Sequence, residues 1–154
     1  MLDNLRRYWK NYLWQSACAT AAILVVLIVL SVQRGVVISS IGATTFIVFM
    51  KPSNSFASPR SVIGGHLVGV LVGSAFALIP SSAPWAATVI CAFAVGSTLL
   101  LMAVTDTEHP PAAGTALSVV MADETWWVAV LAVLTSAVLL SVFHRLLRPY
   151  LRDL

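Results

Sequence analysis

Two apolar stretches of this chain are too short to cross a bilayer as ordinary helices, and they occupy matching places in its two halves. One runs from Val36 to Met50 and contains Ser39-Ser40-Ile41-Gly42-Ala43-Thr44-Thr45. The other runs from Pro110 to Met121 and contains Pro110-Pro111-Ala112-Ala113-Gly114-Thr115-Ala116. Short segments interrupted by Gly or Pro at corresponding positions of two halves point to an inverted-repeat transporter with a binding site near the bilayer midplane. Four further stretches, Ser16–Gln33, Ser61–Ile79, Trp85–Thr105 and Thr125–His144, are long enough to span as helices.

The composition leaves little else to build. The 154 residues are 59% apolar and 10% charged, with a mean hydropathy of +0.92; soluble domains are about a quarter charged. The whole chain, 1–154, therefore reads as a single transmembrane domain whose core forms by helix packing in lipid. The net charge of +3 does not imply nucleic acid, because the basic residues sit at segment ends and no aromatic-interleaved basic patch is present. Cys18 and Cys91 lie far apart within apolar stretches and read as small packing residues. The N-terminal apolar run is long for a cleavable signal and lacks a small-residue cleavage site. Leu2, Leu5, Trp9, Tyr12 and Leu13 recur at helical spacing with Arg6, Arg7 and Lys10 between them, as in an interfacial helix over 1–14.

Charge decides the number of crossings. If both short segments cross and the N-terminus is inside, Arg6, Arg7, Lys10, Lys51, Arg60, Arg145, Arg148 and Arg152 are cytoplasmic, and Arg34 alone is outside. If the second segment dips and returns, the three C-terminal arginines move outside and the asymmetry vanishes. The positive-inside rule favours six crossings with both termini cytoplasmic, in a plasma (inner) membrane. Three crossings per half is odd, so the halves, 16–80 and 84–145, enter from opposite sides. The expected fold is all-α: two inverted three-span repeats, the middle span of each broken.

Reach motivates the break. As a pure helix the first short segment extends only about 24 Å, against the roughly 30 Å of the hydrocarbon core. An extended Gly35–Ile41 followed by a helix from Gly42 closes the gap, as does an extended Glu108–Ala113 followed by a helix from Gly114. The two half-helices then meet with their N-termini facing, each carrying unpaired N–H groups and about half a positive charge. Such a pair suits an anion. Hydroxyls of Ser39, Ser40, Thr44, Thr45 and Thr115 add hydrogen-bond donors, and no carboxylate lies within either segment. The binding residues expected are Gly42, Ala43, Thr44, Thr45, His66, His109, Pro110, Gly114 and Thr115. The hydroxyls have an ordinary alternative as caps and helix–helix contacts.

His66 lies within the third span, where an ionisable group is by default functional; a neutral imidazole bonded to a nearby carbonyl is the alternative. His109 precedes two prolines, which favour extended geometry before them and aim it at the pathway. Asp106 and Glu108 read as a solvated loop end. Gly65, Gly69 and Gly73 recur every four residues, a face for close helix packing within one subunit, or between subunits of a homo-oligomer. Asp123 reads as the N-cap of the last helix, with Glu124 supporting its dipole.

Glu108-His109-Pro110-Pro111-Ala112-Ala113-Gly114-Thr115-Ala116-Leu117 resembles the signature of the HPP family of integral membrane proteins. A second block is also similar: Gly42-Ala43-Thr44, then Pro52-x-Ser-x-x-Phe-Ala-Ser-Pro59-Arg60, then Gly64-Gly65-His66. Ala112 and Ala113 stand where the family often has glycine. The resemblance implies transport, since plastid and cyanobacterial members are associated with nitrite uptake. It agrees with the small inorganic anion suggested by the helix termini. No H-E-x-x-H, G-x-S-x-G or similar catalytic spacing occurs, so neither an enzyme nor a cofactor or metal is expected. A non-transporting structural or partner-binding membrane subunit is the main competing class, with an intramembrane enzyme as a further alternative.

Overall fold

Prolines and capping hydroxyls mark where helices begin in this chain. The computed structural model describes residues 2–30, 35–80, 83–122 and 126–154, which are all-helical apart from their connections. Six α-helices follow in order: α1 (Leu2–Leu30), α2 (Gly35–Met50), α3 (Pro59–Ala77), α4 (Pro84–Thr105), α5 (Pro111–Val120) and α6 (Trp126–Leu147). Two 3₁₀ turns, Ser55–Ala57 and Arg148–Tyr150, complete the described elements. The Ser58 hydroxyl accepts from the Ser61 N–H and caps α3, while Pro59 fills its first turn, where no N–H is needed. Pro84 and Pro111 open α4 and α5 in the same way. Asp106 ends α4 in the left-handed conformation, φ 53°.

The helices α3, α4 and α6 are each long and apolar enough to cross a membrane. Of the other three, α2 and α5 are shorter apolar helices, and α5 lies among α2, α3, α4 and α6. A buried apolar cluster joins α1, α2, α3 and α6 through Val26, Ile41, Val48, Phe49, Val62, Val133 and Leu140. By contrast α4 lies outermost, with Phe93, Leu100 and Val104 exposed as a lipid-facing surface would be.

Glycine sets how closely α3 meets its neighbours. A Cβ at Gly69 would lie 2.5 Å from the Ala112 carbonyl oxygen, and one at Gly73 2.8 Å from that of Ala116. Gly65 admits the loop before α5 in the same way, 2.7 Å from the Cβ of His109. The small-residue face therefore packs within the subunit.

Polar contacts gather the loops and the C-terminal tail at one end. Buried Gln15 donates to the carbonyls of Phe49 and Arg152 and accepts from the Arg152 N–H. Lys51 donates to the Leu154 carbonyl, the Ser53 N–H donates to Asp153, and Arg60 pairs with Asp106 at 2.9 Å. Lys51, Arg60 and Arg152 thus share one end of the bundle.

Two expectations are corrected. The first short segment is one continuous helix, not an extended Gly35–Ile41 followed by a half-helix from Gly42. A helix satisfies its backbone N–H and C=O groups internally, as an apolar environment demands. The hydroxyls do not compete: Thr44 and Thr45 donate to the carbonyls of Ser40 and Ile41 one turn back. In the second segment the helix opens at Pro111 and not at Gly114. Proline is barred from helix interiors yet favoured at the first turn, so the irregular stretch is Thr107–His109. At the N-terminus α1 is two helices joined across a kink at Tyr8, where the backbone is non-helical, so the break falls there and not at residue 14. Arg34, Asp123 and Glu124, read above as an outer charge and a cap, lie outside the described residues.

Gly42 is exposed, and a Cβ there would meet nothing within 4 Å. Gly42→Ala is expected to leave thermal stability unchanged or slightly raised, since alanine favours a helix over glycine by about 1 kcal/mol. A drop in melting temperature would show that this face of α2 is covered in the assembled protein.

Candidate functional site

Thr44 lies at the centre of a buried polar cluster drawn from α2, α3, α5 and the loop before α5. Ser40 and Thr44 share one face of α2 at i, i+4 spacing. His66 comes from α3, His109 from the Thr107–His109 stretch, and Thr115 from the second turn of α5. Thr44, His109 and Thr115 have no exposed surface, and His66 has 1%.

The contacts are short and continuous. Thr44 Oγ1 lies 3.0 Å from His66 Nε2 and 2.9 Å from His109 Nε2, and also 3.0 Å from the Ser40 carbonyl. His66 Nδ1 lies 2.8 Å from Thr115 Oγ1, which in turn lies 3.1 Å from Ser40 Oγ. Ser40 Oγ donates to the Pro111 carbonyl at 2.8 Å. His109 Nδ1 reaches the Phe56 carbonyl at 2.8 Å, and the two imidazoles meet edge to face with centroids 5.0 Å apart.

Local sequence explains the placement. Pro110 disfavours helix at His109, and the left-handed turn at Asp106 directs the chain back toward α3. Gly64 and Gly65 leave room for it: a Cβ at Gly64 would lie 2.7 Å from Thr107 Cγ2. From Thr44 to Ser40 the partners progress from His109 to Pro111 and Thr115, so α2 and α5 run antiparallel. Thr44 is about 9 Å along α2 from its end at Met50, at 1.5 Å per residue. The loop carrying His109 therefore re-enters the bundle, and irregular backbone at such depth must be buried in protein.

The proton inventory of this cluster is short. The Phe56 carbonyl only accepts, so His109 carries its proton on Nδ1 and offers a bare Nε2 when neutral. The remaining six contacts are served by one proton each from Ser40, Thr44, Thr115 and His66, which is four. With both imidazoles doubly protonated, all six carry a proton. His66 then donates to Thr44 and Thr115, His109 to Thr44, Thr44 to the Ser40 carbonyl, Thr115 to Ser40 Oγ, and Ser40 to Pro111. The hydrogen-bond geometry thus has room for one or two added protons, while burial opposes an uncompensated positive charge. A proton arriving together with an anion meets both conditions.

Of the residues expected at a site, Thr44, His66, His109 and Thr115 come together. Pro110 and Gly114 flank them: Pro110 caps α5, and a Cβ at Gly114 would stand 3.5 Å from that of Ser40. Gly42 and Ala43 are exposed on the opposite face of α2, and Thr45 bonds only within its helix. Facing helix N-termini are absent, because α2 continues through Gly42. Nor is the start of α5 open to an anion. Pro110 and Pro111 have no N–H, and the N–H groups of Ala112 and Ala113 donate to the carbonyls of His109 and Pro110. Among the described residues no group of three or more His, Cys, Asp or Glu is arranged to hold a metal. Sequence reasoning missed the Phe56 carbonyl, which fixes the His109 tautomer; no side-chain pattern announces a backbone acceptor.

The all-helical fold and its buried polar centre define the class: a polytopic integral membrane protein. The model of the HPP transmembrane region matches residues 5–151, and the chain belongs to the HPP family. It is similar to two transmembrane proteins of Dictyostelium discoideum. One is 39% identical over 100 residues, covering 64% of this chain and 34% of that protein. The other is 36% identical over 92 residues, covering 58% of this chain and 29% of its own length. The chain thus matches about a third of each relative's length. No solved structure matches.

Proposed function

We propose that the protein carries a small inorganic anion across the membrane, each anion accompanied by a proton held on His66 or His109. The observation that carries this reading is the buried His66–Thr44–His109–Thr115 network with two more hydrogen-bond contacts than protons. An imidazolium and hydroxyl donors replace the helix termini as the anion's partners. Nitrite is one candidate, by the association of other HPP members with its uptake. A cavity of about 410 Å³ lined by Ser74, Leu78, Val120 and Trp126 lies at the end away from the basic loops, beyond the cluster.

The six-crossing inverted repeat belongs to the same reading. Exchanging α1 with α4, α2 with α5 and α3 with α6 carries the α1–α2 contact onto α4–α5, α2–α6 onto α3–α5, and α3–α4 onto α1–α6. That regularity and the antiparallel α2–α5 pair support it. The basic end is the cytoplasmic side of a plasma (inner) membrane, with both termini there. Few charges surround the cluster: Arg60 is paired with Asp106 and Glu108 is exposed, while α2, α4 and α5 bring none.

Nitrite flux into liposomes containing only this protein is the test. Lower pH supplies the missing protons, and burial pushes the His109 pKa down to about 4, so uptake above protein-free vesicles rises only as the outside is acidified below the usual histidine range. His66→Gln and His109→Gln flatten that profile. A wild-type profile in both variants removes the histidines from transport. Absence of any flux makes the cluster a polar lock in a non-transporting membrane subunit.

A further inference from the structure

At the basic end, Arg145 of α6 and Arg148 of the following 3₁₀ turn border a second cavity, separate from the imidazole cluster. It measures about 590 Å³ and is lined by Pro59, His144, Arg145, Arg148 and Pro149. Both arginines are exposed, and among the described residues neither has an acidic partner. Interfacial arginines require no ligand on that account, since positive charge at such a position orients a membrane protein. The orphaned atoms beneath them are less ordinary. Among the described residues, two buried side-chain polar atoms lack a hydrogen-bond partner: Ser141 Oγ and His144 Nδ1. They lie three residues apart on one face of α6, and His144 lines the cavity while being only 3% exposed.

Chemistry narrows the occupant. His144 Nε2 reaches the Pro52 carbonyl at 3.1 Å and must donate to it. The neutral ring therefore turns a bare lone pair at Nδ1 to its other side, and leaving such an acceptor buried and unmatched costs about 1–3 kcal/mol. The guanidiniums require an oxyanion, and Arg presents its donors in a fork suited to phosphate. Nδ1 requires a hydroxyl donor next to that oxyanion.

We infer that this cavity binds a phosphate group that carries a hydroxyl beside its oxyanion. The oxyanion bridges Arg145 and Arg148, and the hydroxyl donates to His144 Nδ1, which is fully buried, so the ring must tilt toward the cavity to receive it. Two sources offer this chemistry at a membrane face: an anionic phospholipid headgroup with free hydroxyls, such as phosphatidylglycerol, and free inorganic phosphate. The site does not depend on the anion-transport reading.

The test uses delipidated, purified full-length chain in two arms. In the first, native mass spectrometry follows retention of added phosphatidylglycerol against phosphatidylcholine. In the second, thermal unfolding is followed with inorganic phosphate against chloride at equal ionic strength. Preferential retention of phosphatidylglycerol, lost at least tenfold in the Arg145→Gln, Arg148→Gln double variant, assigns the cavity to lipid. Stabilisation by phosphate alone, abolished in the same variant, assigns it to the free ion. Both arginines are exposed, so the variant folds; its melting temperature in phosphatidylcholine serves as the check, and Arg60→Gln, at the same end outside the cavity, is the charge control. The inference is overturned if neither phosphate probe exceeds its comparator, or if the double variant binds as wild type or Arg60→Gln weakens binding equally.

Discussion

Gly69→Val is expected to prevent stable assembly of the helix bundle. Even the first carbon of a side chain would stand 2.5 Å from the Ala112 carbonyl oxygen and 3.2 Å from Thr115 Cβ. The obstacle is backbone at the start of α5, which cannot swing aside as a flexible side chain does. Overpacking costs about 1–3 kcal/mol for added methylenes in a well-packed core, and valine adds three carbons. Gly69→Ala should lower the melting temperature measurably, and Gly69→Val should yield aggregated protein in size-exclusion chromatography. Gly96→Ala provides the control, because a Cβ there meets nothing within 4 Å. Equal behaviour of the Gly69 and Gly96 variants would mean that α3 and α5 do not pack this closely.

Thr44→Val should abolish most transport while keeping the shape of the side chain. The substitution takes one hydroxyl from three partners at once: His66 Nε2, His109 Nε2 and the Ser40 carbonyl. Each buried group left unsatisfied costs about 1–3 kcal/mol; a loss of that size in the loaded state is roughly a ten- to hundredfold drop in rate. Thr44→Ser retains the hydroxyl and should retain most of the flux. Flux in liposomes, corrected for protein incorporation, distinguishes the two. Equal flux in both variants would show that the hydroxyl has no part in transport.

The long helices were legible because hydropathy and length report them directly. Ser61–Ile79 and Trp85–Thr105 differ from α3 and α4 by no more than two residues at either end. The packing glycines were legible too, through their spacing of four. What misled was the backbone of the short segments. A reach argument treats each as crossing unaided, whereas in α2 the requirement to satisfy every N–H and C=O prevailed over the distance to be covered. Two prolines were read as excluding helix, when their position at its first turn promotes one. The site was half legible. Composition marked His66 and His109 as costly to bury, but their common partner was visible only after α2 proved helical, which turns Thr44 inward and Gly42 outward. Gln15 escaped notice because one amide at the edge of an apolar run shows no periodicity, although it joins α1 to residues near both Phe49 and Arg152.

The clasp between Gln15 and Arg152 spans 137 positions of the chain. During synthesis the first helix leaves the ribosome long before its partner exists. Until residue 152 emerges, the Gln15 amide has the Phe49 carbonyl alone, and its oxygen must stay near the headgroup region or accept temporary company, because an unpaired amide group is costly in hydrocarbon. The same holds for Met50, whose carbonyl receives the Leu154 N–H. Closure of the bundle thus waits for residues 152–154, and a chain cut before them would keep all six helices while leaving Gln15 and Met50 without these partners. Such a product has the hydropathy of the closed bundle, and the unclasped polar groups are what quality control has to recognise.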